Sequence, residues 1–167
     1  MAYQVAVCGP ADCTATDQAN ALRVGELLAE AGVTVICGGG DGVMGAVAAG
    51  VRARGGVAVG VRPGGTRDGA SPDLSVTLVT NMGQARNAII VWSADAVIAI
   101  GGSWGTLSEI ALAVRRGSVP VICLDGWKIL DHDGTPVRGI SYAENAEDAV
   151  RQALAGSVAS TMDDSPP

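Results

Sequence analysis

The stretch Ala96–Glu109, AVIAIGGSWGTLSE, decides the fold. Ala96 to Ile100 reads as a buried strand, Gly101-Gly102 as a tight turn, and Thr106 onward as the start of a helix. A strand that ends in glycine and runs into a helix is the repeating unit of a parallel α/β sheet. The same alternation extends in both directions. Strands are expected at Gln4–Cys8, Val33–Cys37, Val57–Val61, Val76–Val79, Ala96–Ile100 and Val119–Leu124. Helices are expected at Asp17–Ala31, Val43–Arg54, Gly83–Ser93, Thr106–Arg116 and Ala143–Ala155, the last opened by a capping box between Ser141 and Glu144. The expected fold class is therefore α/β, a Rossmann-like three-layer αβα architecture around a mostly parallel sheet of about six or seven strands.

Composition sets the bounds. The chain has 167 residues, enough for one core that buries about 70% of the unfolded surface. We expect one Rossmann-like domain over residues 1–156 and a flexible tail over 157–167. Hydrophobic residues make up 48% and aromatics only 3%, with no Phe, so Val, Ile, Leu and Ala must fill the interior, as suits buried parallel strands. A net charge of -6 and a pI near 4.6 argue against nucleic acid as a partner. No apolar run is long enough to cross a bilayer, and MAYQVAVCG reads as a strand where a secretory leader would carry charge. A cytoplasmic protein is the expectation. Cys8, Cys13, Cys37 and Cys123 lack CxxC spacing and read as free thiols, and His132 in DHDG reads as a solvated loop residue.

In a parallel sheet the loops that follow the strands gather on one edge, where a reversal of strand order opens a crevice. Glycines mark three of those loops: Gly9-Pro10, Gly38-Gly39-Gly40-Asp41-Gly42, and Gly101-Gly102-Ser103-Trp104-Gly105-Thr106. The two longer turns run straight into helices, whose first amides are unpaired and positively polarised, a cradle for phosphate. Glycine also serves plain strand-to-helix turns, which need no ligand. Gly40 to Gly45 fits GxGxxG as well, but it follows the second strand and Arg62 stands where an acidic ribose ligand belongs. A Walker P-loop is excluded, because the single lysine is Lys128. Thr106-Leu107-Ser108-Glu109 is either a capping box or a carboxylate one turn beyond the cradle, where it would steady positive charge at an anomeric carbon. Arg86, which leads into the apolar run Ala88–Val91, is either a surface cation or an inward group that pairs with phosphate or Glu109. Trp104 either stacks on a base or packs beneath its turn.

These elements resemble a known family. GGGDGVMGAVAAG is similar to the GGGxxGLMG element, and GGSWGTLSE to the PGGxGTxxE signature, of the LOG (LONELY GUY) family. VAVCGPA is similar to the first strand and its CGSS turn, and NMGQARN to the M-x-x-RK element, so the resemblance spans about Val5 to Leu124. It implies a nucleoside 5'-monophosphate phosphoribohydrolase that needs no metal or organic cofactor, and a homodimer or homotetramer. Arg86 and Glu109 match the family's essential pair. Gly42, Gly45, Gly105 and Thr106 match the family's phosphate-binding turns, and Gly9, Gly39, Gly40, Gly102 and Ser103 join them as phosphate- or nucleotide-binding candidates of the glycine turns. There are departures: Gly101-Gly102-Ser103 replaces Pro-Gly-Gly, Asn87 replaces a lysine, and Pro10 replaces a serine. These resemble a sister branch that includes molybdenum-cofactor carrier proteins, which makes a non-catalytic carrier or sensor the alternative.

Overall fold

The computed structural model describes residues 2–160. Its strands are β1 (Gln4–Cys8), β2 (Thr34–Cys37), β3 (Val57–Arg62), β4 (Val76–Val79), β5 (Ala96–Ile100), β6 (Val121–Leu124) and β7 (Ser141–Ala143). Its helices are α1 (Ala15–Glu30), α2 (Val43–Ala53), α3 (Asn87–Trp92), α4 (Trp104–Arg116) and α5 (Ala146–Ser160). The strands form one seven-stranded sheet in the order β4-β3-β2-β1-β5-β6-β7, with every pair parallel. No described helix is long and apolar enough to cross a membrane.

Alternation along the central strands builds two cores. Val5 and Val7 of β1, with Ala96, Ile98 and Ile100 of β5, pack into the layer formed by α1, α2 and α5. Ala6 and Cys8, with Val97 and Ala99, face the opposite layer, where Ile90 and Val91 of α3 meet Ile110 and Ala113 of α4. All five residues of β5 are fully buried, which is why its sequence lacks polar alternation.

Helix α1 approaches α2 backbone to backbone. A Cβ on Gly25 would lie 2.3 Å from the Val47 carbonyl oxygen, and one on Gly50 would lie 2.1 Å from that of Leu22. Both positions sit on a shared seam, so glycine there is a packing requirement.

Three boundaries differ from expectation for local reasons. Helix α1 starts before Asp17, because Thr14 and Asp17 form a capping box: the Asp17 amide donates to Thr14 Oγ1 at 3.1 Å and the Thr14 amide donates to Asp17 Oδ2 at 3.0 Å. The Ser141–Glu144 capping box does not form. Ser141 belongs to β7, and the Asp148 amide donates to the side chain of Asn145 instead. The expected tail is helical as far as Ser160, and residues 161–167 lie outside the described residues.

The α1–α2 seam is testable by urea denaturation. Gly50→Ala is expected to cost more than about 2 kcal/mol, because rigid backbone must move. Gly55→Ala, where φ is +69° and no atom lies within 4 Å, should cost only the backbone strain, about 1 kcal/mol.

Candidate functional site

The chain builds the sheet outward from β1 to β4 and then returns to place β5 beside β1 on its other side. The strand order therefore reverses between β1 and β5, whose C-terminal ends open a crevice. A pocket of about 170 Å³ lies there, lined by residues from four loops. Cys8, Gly9, Pro10 and Ala11 come from the end of β1, and Gly38 and Met44 from the β2–α2 turn. Gln84, Arg86 and Asn87 come from the approach to α3, and Ser103, Gly105, Thr106 and Glu109 from α4.

Of the expected residues, the structure brings Arg86, Glu109, Gly9, Ser103, Gly105 and Thr106 to one wall. Gly39, Gly40, Gly42, Gly45 and Gly102 do not line it. At α2 the first helical amide, that of Val43, donates to the Pro10 carbonyl at 3.1 Å, so the β1 turn packs against that helix end, while the amides of Met44 and Gly45 have no hydrogen-bond partner among the described residues. Gly42 permits this approach: its φ is +62° and a Cβ there would lie 2.2 Å from the Ala11 carbonyl oxygen. Gly102 lies under Trp127, whose Cδ1 would be 2.3 Å from an added Cβ.

The cradle at α4 is open. Ser103 is its N-cap, with Oγ accepting from the Thr106 amide at 3.1 Å and lying 2.9 Å from Thr106 Oγ1. Among the described residues, the amides of Trp104 and Gly105 have no hydrogen-bond partner in the protein. Two polarised N–H groups and two hydroxyls therefore stand at one helix end. Because Ser103 caps the helix, Thr106-x-x-Glu109 is not a capping box, and Glu109 turns inward at 6% exposure. Trp104 does not pack beneath the turn. It is 80% exposed and meets Trp127 edge-on, with ring centroids 5.2 Å apart.

Arg86 takes the inward orientation. A 3₁₀ turn over Gly83–Arg86 precedes α3, and the Arg86 side chain is only 10% exposed. Its Nη1 donates to Asn87 Oδ1 and, at 3.4 Å, to Glu109 Oε1. Its Nε is buried without a partner. Burial pushes the Glu109 carboxyl up to about 7, against the opposing pull of Arg86 and of the Cys8 thiol. Burial, reinforced by Glu109, also raises the Cys8 thiol, so Cys8 is a neutral donor on the pocket floor.

A larger depression of about 620 Å³ lies on the other side of Pro10 and is walled by Asp12, Asp17, Asp125 and Trp127, with no cation in its lining. Its three carboxyl groups would repel an anion that Arg86 and the α4 amides would attract. Asp131, His132 and Asp133 bring ligand-type atoms within 4.8 Å of one another, but all three are exposed and none lines either pocket. Cys8, Gln84, Asn87, Gly38 and Met44 line the smaller pocket without having been expected there. For Cys8 the available signal was its place as the last residue of a central strand.

A family model matches residues 2–150. The chain belongs to the SLOG cluster4 family. Among its relatives is the cytokinin riboside 5'-monophosphate phosphoribohydrolase of Mycobacterium tuberculosis, 36% identical over 66% of this chain and 64% of that protein. The chain thus spans slightly less than two thirds of this relative. The molybdenum cofactor binding protein of Rippkaea orientalis superposes with a TM-score of 0.84 at 32% identity, covering 95% of this chain and 98% of that one. The molybdenum cofactor carrier protein of Chlamydomonas reinhardtii superposes with a TM-score of 0.78 at 27% identity, covering 93% and 99%.

The raised Glu109 carboxyl makes stability depend on pH. In the unfolded chain this group titrates near 4.5 and in the folded state near 7, so the folded state holds the proton more tightly. Its contribution is complete below about 4.5 and is lost as pH rises through about 7, on the order of 3 kcal/mol in all. Denaturation of Glu109→Gln between pH 5 and 7.5 is expected to show a smaller loss of stability with rising pH than the parent protein does.

Proposed function

We propose that the chain binds a nucleoside 5'-monophosphate at the open end of α4 and hydrolyses its N-glycosidic bond, releasing base and ribose 5-phosphate. The observation that carries this reading is one buried wall that combines an anion cradle with a carboxyl group and a guanidinium. In this proposal the amides of Trp104 and Gly105, the hydroxyls of Ser103 and Thr106, and Gly9 surround the phosphate. The glycines at 39, 40, 42, 45 and 102 set the turns that bring these groups together. Arg86 neutralises the phosphate or steadies Glu109. Ionised Glu109 faces the anomeric carbon as the C1'–N bond breaks and positive charge develops. Water then adds its oxygen to C1', and its proton balances the departing base.

A second reading has its own support. Two molybdenum-cofactor proteins match this chain over almost their full lengths, whereas the phosphoribohydrolase relative does so over 64% of its own. On that reading the same cradle holds a phosphorylated ligand without cleaving it.

Incubation with AMP and related monophosphates separates the two. The hydrolase reading expects free base, at a rate that rises with pH across about 7 as Glu109 ionises. Glu109→Gln should lower that rate by about 10²- to 10³-fold while phosphate binding survives. Binding of monophosphates without any release of base supports the carrier.

A second copy of this chain is the proposed partner in assembly. Val76 and Leu78 of the edge strand β4 pair with Val59 and Val61, yet remain 46% and 45% exposed beside Val57 at 46%. An uncharged apolar edge of this kind suits a second copy better than water. Sedimentation should find a dimer or tetramer, and Leu78→Arg should shift the population to monomer.

A further inference from the structure

Asn87 stands next to the buried arginine, on the pocket wall, and is 2% exposed. It is the first residue of α3, one place beyond the N-cap, which is Arg86. No side chain caps α3, and the Asn87 amide oxygen accepts from Arg86 Nη1. The same nitrogen reaches Glu109 Oε1 only at 3.4 Å, long for a charge-assisted bond. Arg86 Nη2 points toward Gly38, where an added Cβ would lie 2.8 Å from it. The guanidinium is thus drawn toward Asn87 and stops short of a full two-pronged pairing with the glutamate.

We propose that Asn87 is a positioning residue whose amide oxygen tethers Arg86 off Glu109, so that the guanidinium stays available to a phosphate ligand instead of being consumed by the carboxyl group. This rests on the proposed anion pocket but not on hydrolysis, so it holds for a carrier as well as for an enzyme. A neutral tether also leaves Arg86 as the one cation on the wall, which suits a single phosphomonoester better than a diphosphate. The other groups that face Glu109 are Cys8 from β1, a neutral thiol, and Arg86 itself.

The test is made on the full ligand-free chain, by following the Glu109 carboxyl with ¹³C NMR on glutamate-labelled protein and assigning it with Glu109→Gln. Asn87→Leu removes the tether, so Arg86 should close on Glu109 and move its midpoint down from about 7 by about one unit or more. Asn87→Asp keeps the acceptor and takes more of the Arg86 charge, so the midpoint should move up. Inorganic phosphate, titrated into the same samples, should bind about tenfold more weakly to Asn87→Leu. Like-charge repulsion alone would also raise the midpoint in Asn87→Asp, so the downward shift in Asn87→Leu is the result a residue that merely packs would not give. If either folded variant leaves the midpoint where it is in the parent, or shifts it the other way, the tether is overturned. Should Asn87→Leu fail to fold, the same downward shift in Asn87→Ala decides alone. Failure of the hydrolase reading is a separate result, absence of free base from AMP, and leaves these midpoints untouched.

Discussion

Among the described residues, Arg86–Glu109 is the one ion pair with both side chains at 10% exposure or less, and the crevice is organised around it. Removing a carboxylate and a guanidinium from water costs several kcal/mol per ion, recovered only when geometry and hydrogen bonding are good. Here the geometry is poor: the pair is separated by 3.4 Å, Arg86 Nε has no partner, and the carboxyl remains partly protonated near neutrality. A chain selected for stability alone would fill this wall with apolar side chains. Its place at the β1–β5 switch fits the proposed phosphate ligand, which would complete the missing contacts.

The sign of charge then divides the sheet edge. Pro10 and Ala11 pack against the start of α2, and Pro10 lies between the Arg86 wall and the larger acidic depression that holds Asp12, Asp17 and Asp125. Volume favours the acidic side, but for a dianionic group the electrostatic term dominates, because like charges in a partly desolvated cleft repel more strongly than in water. Backbone does most of the partition. Val43 donates to Pro10, Gly42 lets the two turns touch, and α4 adds two hydroxyls to its open amides.

Much of this was legible before any coordinates. The strands were, because buried parallel strands are short, apolar and bounded by glycine, and β5 satisfies each condition. Arg86 and Glu109 were legible as candidates, but their direction was not, since T-x-x-E is equally a capping pattern; Ser103, one turn earlier, settles it by taking the Thr106 amide. The strand β7 was missed because three residues, Ser141–Ala143, carry no period. The glycine cluster misled in part. Glycines 39 to 42 mark close backbone approach as expected, but what approaches at Gly42 is the protein's own β1 turn. Sequence shows where backbone must come close and is silent on what comes.

That distinction bears on why one scaffold serves both cleavage and carriage. Holding a phosphate needs amides and hydroxyls fixed by backbone, and α4 supplies them whatever stands behind. Cleaving a glycosidic bond needs in addition an ionised carboxylate at C1', and in this protein burial opposes ionisation of Glu109 while Arg86 favours it. At 3.4 Å, with Asn87 sharing the same nitrogen, the carboxyl is poised near 7 rather than committed to either form. A lysine at that place would add charge to the wall and favour the carboxylate; the amide does not. Burial sets the ionisation of Glu109, and the tether limits how far Arg86 offsets it, so reactivity can change by a single side chain while the cradle stays intact.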